Sequence, residues 1–178
     1  ALGDPDVELV TAREQHDAGS LFAGVRGERD DLSGADVARK LIILAREMGL
    51  ALELSDVVVE SLVPKALQGA GADEFMRRLP EHDDAMRERL DAARARGKVL
   101  RHVGRVTAAG EAKVGIVELD ASASLANTAL TDNIVRYSTR RYSANPLIVQ
   151  GPGAGPEVTA GGVFADLLRL ASYLGARM

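Results

Sequence analysis

Residues 30–48, DDLSGADVARKLIILAREM, form the stretch around which we expect the chain to fold. From Ala35 onward, apolar residues recur every three or four positions, which predicts one broad apolar face of an α-helix. These residues are Val37, Leu41, Leu44 and Met48, with Ala38, Ile42 and Ala45 beside them. Ser33 or the preceding aspartates can cap this helix. The pattern predicts an amphipathic helix packed on a core.

Charged residues collect at the start of the same helix. Asp36 and Lys40 are four positions apart, so they lie together on one helical face. Asp30 and Asp31 lie just before the helix, where its dipole favours negative charge. The simplest interpretation is an exposed ion pair behind an acidic first turn, which is common on protein surfaces. The alternative is that these carboxylates and the ammonium group belong to a site.

The segment DDLSGADVARK, residues 30–40, resembles the homoserine dehydrogenase signature D-D-L-x-G-x-D-V-x-R-K at every fixed position. The likeness covers about residues 30–178 and is strong again in PLIVQGPGAGPEVTAGGVFADLL near the C-terminal end. It implies an α+β fold, in which helices cover one face of a mixed or antiparallel sheet. We therefore divide the chain into a divergent segment, residues 1–29, and a homoserine dehydrogenase-like domain, residues 30–178, with a C-terminal helix at 156–174.

The resemblance also implies roles for individual residues. In this family the aspartates of the segment hold an amino-acid substrate, and the lysine assists proton transfer at its γ-oxygen. Lys40 and Asp36 are thereby nominated as catalytic, and Asp31 and Asp30 as substrate-binding. A family glutamate in an E-P-D-P run grips the substrate's amino group, but Val25 stands at that position here. Glu28 is the candidate to replace it.

A second site is nominated at GPGAG, which precedes a helix whose first residue is predicted to be Pro156. A glycine-rich turn before a helix can cradle phosphate. Its spacing is not that of the dinucleotide fingerprint, however, so the turn alone is a weak signal. In homoserine dehydrogenases the corresponding turn faces the cofactor, and the resemblance therefore nominates Gly153, Ala154 and Gly155 for a cofactor or anion.

Composition excludes several classes of function. The chain is 46% hydrophobic and 27% charged, with a net charge of −4, so no nucleic-acid or anionic-membrane binding is expected. It has no cysteine, and His16, His82 and His102 lack metal-ligand spacing, so we predict no metal site. No apolar run approaches the roughly 18 residues of a membrane span, so a cytoplasmic protein is expected.

The other elements follow from periodicity and turn residues. Strands are predicted at residues 57–59, 99–106, 113–119, 134–142 and 147–150, and helices at 73–79 and 81–96. Residues 66–72 are predicted to be a loop, and Asp73 is predicted to cap the helix after it. The start of the chain is the least readable part, with a candidate strand at 7–11 and a candidate helix at 11–23.

The last helix is apolar over much of its circumference and must be buried on more than one side. In the family it packs on a nucleotide-binding domain, and no glycine fingerprint of such a domain is found in this sequence. Either residues 1–29 or another chain must cover the helix, and we favour another chain. The predicted assembly is a homo- or hetero-oligomer that uses this helix and the β-sheet.

Three functions are therefore open. The first is an enzyme subunit that binds a homoserine- or aspartate-semialdehyde-like 2-amino acid and performs elimination, cyclisation or intramolecular displacement with a partner chain, in a specialised biosynthetic pathway. The second is a split dehydrogenase whose NAD(P) domain is a separate chain. The third is a non-catalytic amino-acid-binding module. The isolated chain is expected to bind no cofactor. Val25 favours the first function over the second, whereas Asp36 and Lys40 argue against the third.

Overall fold

A computed structural model describes residues 6–11, 32–127, 132–153 and 155–175 of the chain. These residues form six strands and four α-helices, with short 3₁₀ turns between them. In chain order the elements are β1 (Asp6–Thr11), α1 (Ala35–Glu47), β2 (Val57–Val59), α2 (Ala72–Arg78), α3 (Asp83–Ala95), β3 (Lys98–Val106), β4 (Ala112–Asp120), β5 (Asp132–Ser138), β6 (Leu147–Pro152) and α4 (Pro156–Tyr173).

The six strands make one sheet in the order β2-β4-β3-β1-β5-β6. Every pair is antiparallel except β2 with β4, so the sheet is mixed and the predicted α+β class is confirmed. Strand β1 lies in the middle, where Val10 is opposite Val103 on one side and Ile134 on the other. The candidate strand at 7–11 is thus present, and most of the candidate helix at 11–23 lies outside the described residues.

Helix α1 provides the main contact between helices and sheet. Its apolar face is buried as the periodicity predicts, through Val37, Ala38, Leu41, Ile42 and Ala45. These side chains pack against β2, β3 and β4 in one cluster with Val57, Val106, Ala112 and Val114. A Cβ at Gly104 would lie 2.9 Å from Val37 Cγ1, so glycine at this point of β3 lets the helix approach closely.

The start of α1 is fixed by a glycine turn. Gly34 has a φ of 79°, in the left-handed region that glycine adopts without steric cost. Its carbonyl accepts a hydrogen bond from the Ala38 N–H at 2.9 Å. Ser33 Oγ accepts one from the Ala35 N–H at 3.2 Å, but Gly34 is the N-cap residue and Ser33 does not cap the helix as predicted. Before the turn, the Leu32 carbonyl accepts a bond from the Leu62 N–H at 2.8 Å.

Two smaller apolar clusters complete the core. Leu32 packs with Val63, Leu67, Phe75 and Leu79, which joins the chain before α1 to α2. Val103 packs with Leu125 and Ile134, which joins β3 and β5 to the 3₁₀ turn at Ser124–Asn127.

Several predicted boundaries need correction. The strand predicted to reach residue 142 ends at Ser138, because the chain turns back and the Thr139 Oγ1 accepts a bond from the Tyr142 N–H at 3.1 Å. The predicted loop at 66–72 contains part of a 3₁₀ turn, Lys65–Leu67, and the first residue of α2. Asp73 lies inside the first turn of α2 and does not cap it.

Helix α4 differs from the other elements because none of its residues is buried. Its large apolar side chains are open to solvent, including Phe164 at 62% and Tyr173 at 92% exposure. Pro156 is its first residue, as predicted. No helix within the described ranges is long and apolar enough to cross a membrane.

Candidate functional site

The Asp36 and Lys40 side chains form an ion pair on the solvent side of α1. Lys40 Nζ lies 2.8 Å from Asp36 Oδ2, and the two side chains are 45% and 36% exposed. The spacing of four residues brings them together as predicted. An ion pair this exposed contributes little to stability. It is accessible to a small molecule and stands on a rigid backbone.

The rigidity comes from the packing beneath the first turn of α1. A Cβ at Gly34 would lie 2.8 Å from Val59 Cγ1, 3.3 Å from Val114 Cγ1 and 3.4 Å from His102 Cε1. The turn therefore lies directly on β2, β4 and β3. Asp36 is two residues further along, so its position depends on this contact.

His102 is the residue of this region that the sequence analysis missed. Its Nε2 is buried and has no hydrogen-bond partner within the described part of the chain. Burial lowers the pKa of His102, and the nearby Glu60 carboxylate only partly opposes that shift, so the imidazole is neutral at pH 7. The available signal was its place in β3. His102 lies on the same face of the strand as Leu100, Gly104 and Val106, which are buried.

Helix α3 is tied to the same edge of the sheet by ion pairs. Arg89 Nη1 lies 2.9 Å from Glu60 Oε1, and Arg96 Nη2 lies 2.5 Å from Glu118 Oε1. The hydrogen bond to Glu118 raises the pKa of Arg96, and the same bond lowers the pKa of Glu118. Arg89 thus pairs with the same Glu60 carboxylate that lies near His102.

The other nominated substrate ligands, Glu28, Asp30 and Asp31, lie outside the described residues. Their roles stay predictions, and so does the replacement of the family glutamate by Glu28. Of the nominated turn, Gly153 and Gly155 are described and Ala154 is not. The turn follows β6 at one edge of the sheet, whereas α1 packs on β1, β2, β3 and β4. The two nominated sites therefore stand on different parts of the sheet.

The turn at Gly155 begins α4. Gly155 has a φ of 133°, and its carbonyl accepts bonds from the Thr159 N–H at 3.0 Å and the Thr159 hydroxyl at 2.9 Å. No side chain in the described part of the chain caps the helix, so its first backbone N–H groups lack a side-chain partner there. No group of three or more His, Asp or Glu residues in the described ranges could hold a metal ion.

Comparison with known proteins identifies the family. The family model described as homoserine dehydrogenase matches residues 24–168. The chain belongs to the homoserine dehydrogenase family. The match begins before Val25 and Glu28, inside the segment that the sequence analysis called divergent. The proposed boundary at residue 29 remains a prediction.

Individual relatives of this homoserine dehydrogenase-family chain are close in sequence. It is 56% identical over 153 residues to the chloroplastic bifunctional aspartokinase/homoserine dehydrogenase 2 of Arabidopsis thaliana, a match that covers 83% of this chain and 16% of that protein. It is 48% identical over 149 residues to the homoserine dehydrogenase of Paracoccidioides brasiliensis, covering 82% of this chain and 40% of that protein. The chain thus spans less than half the length of these relatives.

Solved structures share the fold. A Candida auris protein of unknown function has a TM-score of 0.82 at 37% identity, over 96% of this chain and 54% of that one. The homoserine dehydrogenase of S. aureus has a TM-score of 0.68 at 17% identity, over 99% of this chain and 44% of that one. The second likeness concerns the fold alone.

Proposed function

We propose that this chain supplies the substrate-binding and proton-transfer part of a homoserine dehydrogenase, which interconverts homoserine and aspartate semialdehyde. The observation that carries the proposal is the Asp36–Lys40 pair, 2.8 Å apart on α1 within the family's signature segment. Two solvent-accessible groups of opposite charge on a rigid helix suit a small zwitterionic substrate.

Lys40 is the group proposed to act on the reacting oxygen. Oxidation of homoserine removes a proton from its γ-hydroxyl, and an ammonium group within hydrogen-bond reach stabilises negative charge on that oxygen. Asp36 holds the Lys40 ammonium in place and accepts a proton from it as Lys40 takes the proton of the γ-hydroxyl. Asp31, Asp30 and Glu28 are proposed to bind the substrate's ammonium group. A bound nicotinamide would accept the hydride from the carbon that carries the hydroxyl.

The described residues fit only part of an NAD(P) site. They contain no strand–glycine turn–helix–strand unit, since the sole parallel pair in the described sheet is β2 with β4. The uncapped first turn of α4 beside Gly153 and Gly155 is suited to contact one end of the cofactor. We propose that the remaining contacts come from a nucleotide-binding domain outside this sequence, in the same protein or in another chain.

The exposed apolar side of α4 supports a partner at this position. Val163, Phe164, Leu167 and Leu170 are each more than half exposed. None of the described residues, including those of β1, covers these side chains, as their exposure shows. We propose that another polypeptide or domain covers this face and that the β-sheet provides a second contact between subunits. Cytoplasmic localisation stays a prediction.

Non-redox chemistry on the same substrate is the second candidate. Val25, which stands where the family has its glutamate, favours it. The identity of 56% to a protein named as a homoserine dehydrogenase favours dehydrogenation instead. Elimination, cyclisation or displacement in a specialised pathway therefore rests on Val25 alone, and the non-catalytic binding module has no specific observation in its favour.

The test is to purify the chain together with whatever polypeptide accompanies it and to incubate it with homoserine, with and without NADP⁺. We expect homoserine-dependent formation of NADPH and aspartate semialdehyde. Conversion of homoserine to another product without NADP⁺, detected by mass spectrometry, would replace this proposal with the non-redox candidate. No conversion, with homoserine binding in calorimetry, would leave the binding module.

A further inference from the structure

His102 lies beneath the turn that begins α1. Its side chain is on the face of β3 that packs against α1, since Gly104, two residues along the strand, faces Val37 of that helix. His102 Cε1 lies 3.4 Å from the place that a Cβ on Gly34 would occupy. The backbone of the turn therefore lies next to the imidazole ring.

The Gly34 turn fixes the position of the Asp36–Lys40 pair. The Gly34 carbonyl accepts a hydrogen bond from the Ala38 N–H at 2.9 Å, which closes the first turn of α1. Asp36 lies within this turn, and its Oδ2 is 2.8 Å from Lys40 Nζ. A shift of the turn over the sheet therefore moves the Asp36 carboxylate and the ammonium group that it holds.

The Nε2 atom of His102 is buried and has no hydrogen-bond partner among the described residues. A neutral imidazole carries an N–H on one nitrogen, whereas the protonated ring carries an N–H on both. Protonation therefore leaves a buried donor unsatisfied, and it places a positive charge at the positive end of the α1 dipole. Both effects act against the contact between the ring and the Gly34 turn.

The charges around His102 favour its protonation only in part. The charged groups on the surrounding elements are Asp36 and Lys40 on α1, Glu60 after β2, Glu118 on β4, and Arg89 and Arg96 on and just after α3. Each carboxylate in this set is paired with one of the cations, at N to O distances of 2.5–2.9 Å. Glu60 raises the pKa of His102, but burial lowers this pKa by more. The ring therefore gains its proton only at acidic pH.

We propose that His102 is a positioning residue for the Asp36–Lys40 pair. Its ring supports the Gly34 turn and so keeps the Asp36 carboxylate where it can hold Lys40 for proton transfer. The ring acts through the turn and takes no part in the chemistry. The inference rests on the proposed function only where activity is measured, because the support of the turn is measured without substrate.

The support of the turn is tested by hydrogen–deuterium exchange in the full chain at pH 8. His102→Ala removes the ring and should speed exchange of the Ala38 amide about tenfold, while the amides of β5, two strands away, change less than about twofold. Val103→Ala is the matched control, because it truncates the next residue of β3, which packs on the opposite face with Leu125 and Ile134. It should speed exchange in β5 and change the Ala38 amide less than about twofold. Equal effects of the two variants on the Ala38 amide would overturn the proposal.

His102→Phe separates the ring from its charge, since it keeps a ring beneath the turn and removes the titrating group. Relative to the amides of β5, the Ala38 amide should exchange about threefold more slowly in His102→Phe than in the wild type at pH 5. At pH 8 the two proteins should agree within about twofold. This comparison also decides the case if His102→Ala does not fold. The same difference at both pH values would overturn the proposal.

The consequence for activity is tested in the assembled enzyme with homoserine. At pH 8, His102→Ala should lower kcat about tenfold while the KM for the cofactor changes less than about twofold, because the displaced pair acts on the reacting oxygen. His102→Phe should restore kcat to within about threefold of the wild-type value and should flatten its fall between pH 8 and pH 5. An unchanged kcat in His102→Ala, or an unchanged pH profile in His102→Phe, would overturn the proposal. If the wild-type enzyme does not oxidise homoserine, the proposed function fails, and exchange of the Ala38 amide still judges the support of the turn.

Discussion

Helices α1 and α4 contain comparable apolar residues but differ in burial, because α1 packs on the sheet and α4 is exposed to solvent. Helix α1 buries Val37, Leu41 and Ile42 against the sheet and carries the charged pair on its open side. Helix α4 has a similar share of apolar residues and buries none of them. The contrast teaches that apolar content alone does not show where a helix packs. Helix α1 contributes to the core of this domain, whereas α4 leaves its apolar side chains exposed to solvent.

The largest difference should come from truncating one leucine in each helix. Leu41→Ala removes a fully buried side chain and should lower the free energy of unfolding by about 2–5 kcal/mol. Leu167→Ala removes a side chain that is 58% exposed and should change it by less than about 0.5 kcal/mol. Urea unfolding of the isolated chain measures both values. Similar losses in the two variants would mean that α4 packs on the domain.

The next effect concerns assembly. Leu170→Asp places a charge on the exposed face of α4 and should weaken binding to the covering partner by about 1.5–3 kcal/mol, because a buried leucine is lost and a charge must be desolvated. Native mass spectrometry measures the assembled fraction, and circular dichroism checks the fold. Arg169→Ala is the control, since Arg169 is 85% exposed and pairs only with the neighbouring Asp166 at 3.6 Å among the contacts described. A wild-type chain that stays monomeric at micromolar concentration in the presence of its co-purified polypeptides would contradict the partner surface.

Two glycines sharpen the same comparison. Gly34→Ala should destabilise the chain by about 1–2 kcal/mol, because its φ is left-handed and the new Cβ meets Val59 at 2.8 Å. Gly162→Ala in α4 should stabilise it by about 0.5–1 kcal/mol, because alanine is the better helix former and nothing lies within 4 Å. Thermal unfolding gives the sign of each change. Destabilisation by Gly162→Ala would show that α4 is packed closely at that point.

The smallest expected effect concerns His102, which lies beneath the first turn of α1. Burial lowers the pKa of His102 in the folded state. The free energy of unfolding is therefore highest above the unfolded pKa, about 6.5, and falls as the pH drops below that value, because the unfolded state takes up the proton first. His102→Phe should remove this loss and, by eliminating an unpaired buried nitrogen, add about 1 kcal/mol at pH 5. Urea unfolding at pH 5 and pH 8 checks the prediction. An identical pH dependence in both proteins would contradict it.

Local pattern predicted much of this structure. The apolar face of α1, the Asp36–Lys40 pair and the start of α4 at Pro156 follow from spacing and turn residues within a few positions. The central place of β1 could not be predicted, since strand order depends on pairing between distant residues. The same is true of the environment of His102, which includes Gly34 and Glu60 from other parts of the chain.

The site was predicted only in part for a related reason. The resemblance nominated Lys40 and Asp36, and the structure brings their side chains together. The Arg89–Glu60 ion pair near His102 was not identified, because it joins residues 29 positions apart on different elements. Contacts between distant elements leave no local pattern in the sequence.

The most direct test of the proposed function is homoserine oxidation by Lys40→Ala in the assembled enzyme. We predict that kcat falls by about 10²–10⁴-fold, the range for a lost proton-transfer group, while the free energy of unfolding changes by less than about 1 kcal/mol, since the Asp36–Lys40 pair is exposed. Lys65→Ala, at another exposed lysine, should keep full activity. A Lys40→Ala enzyme as active as the Lys65→Ala control would contradict the account.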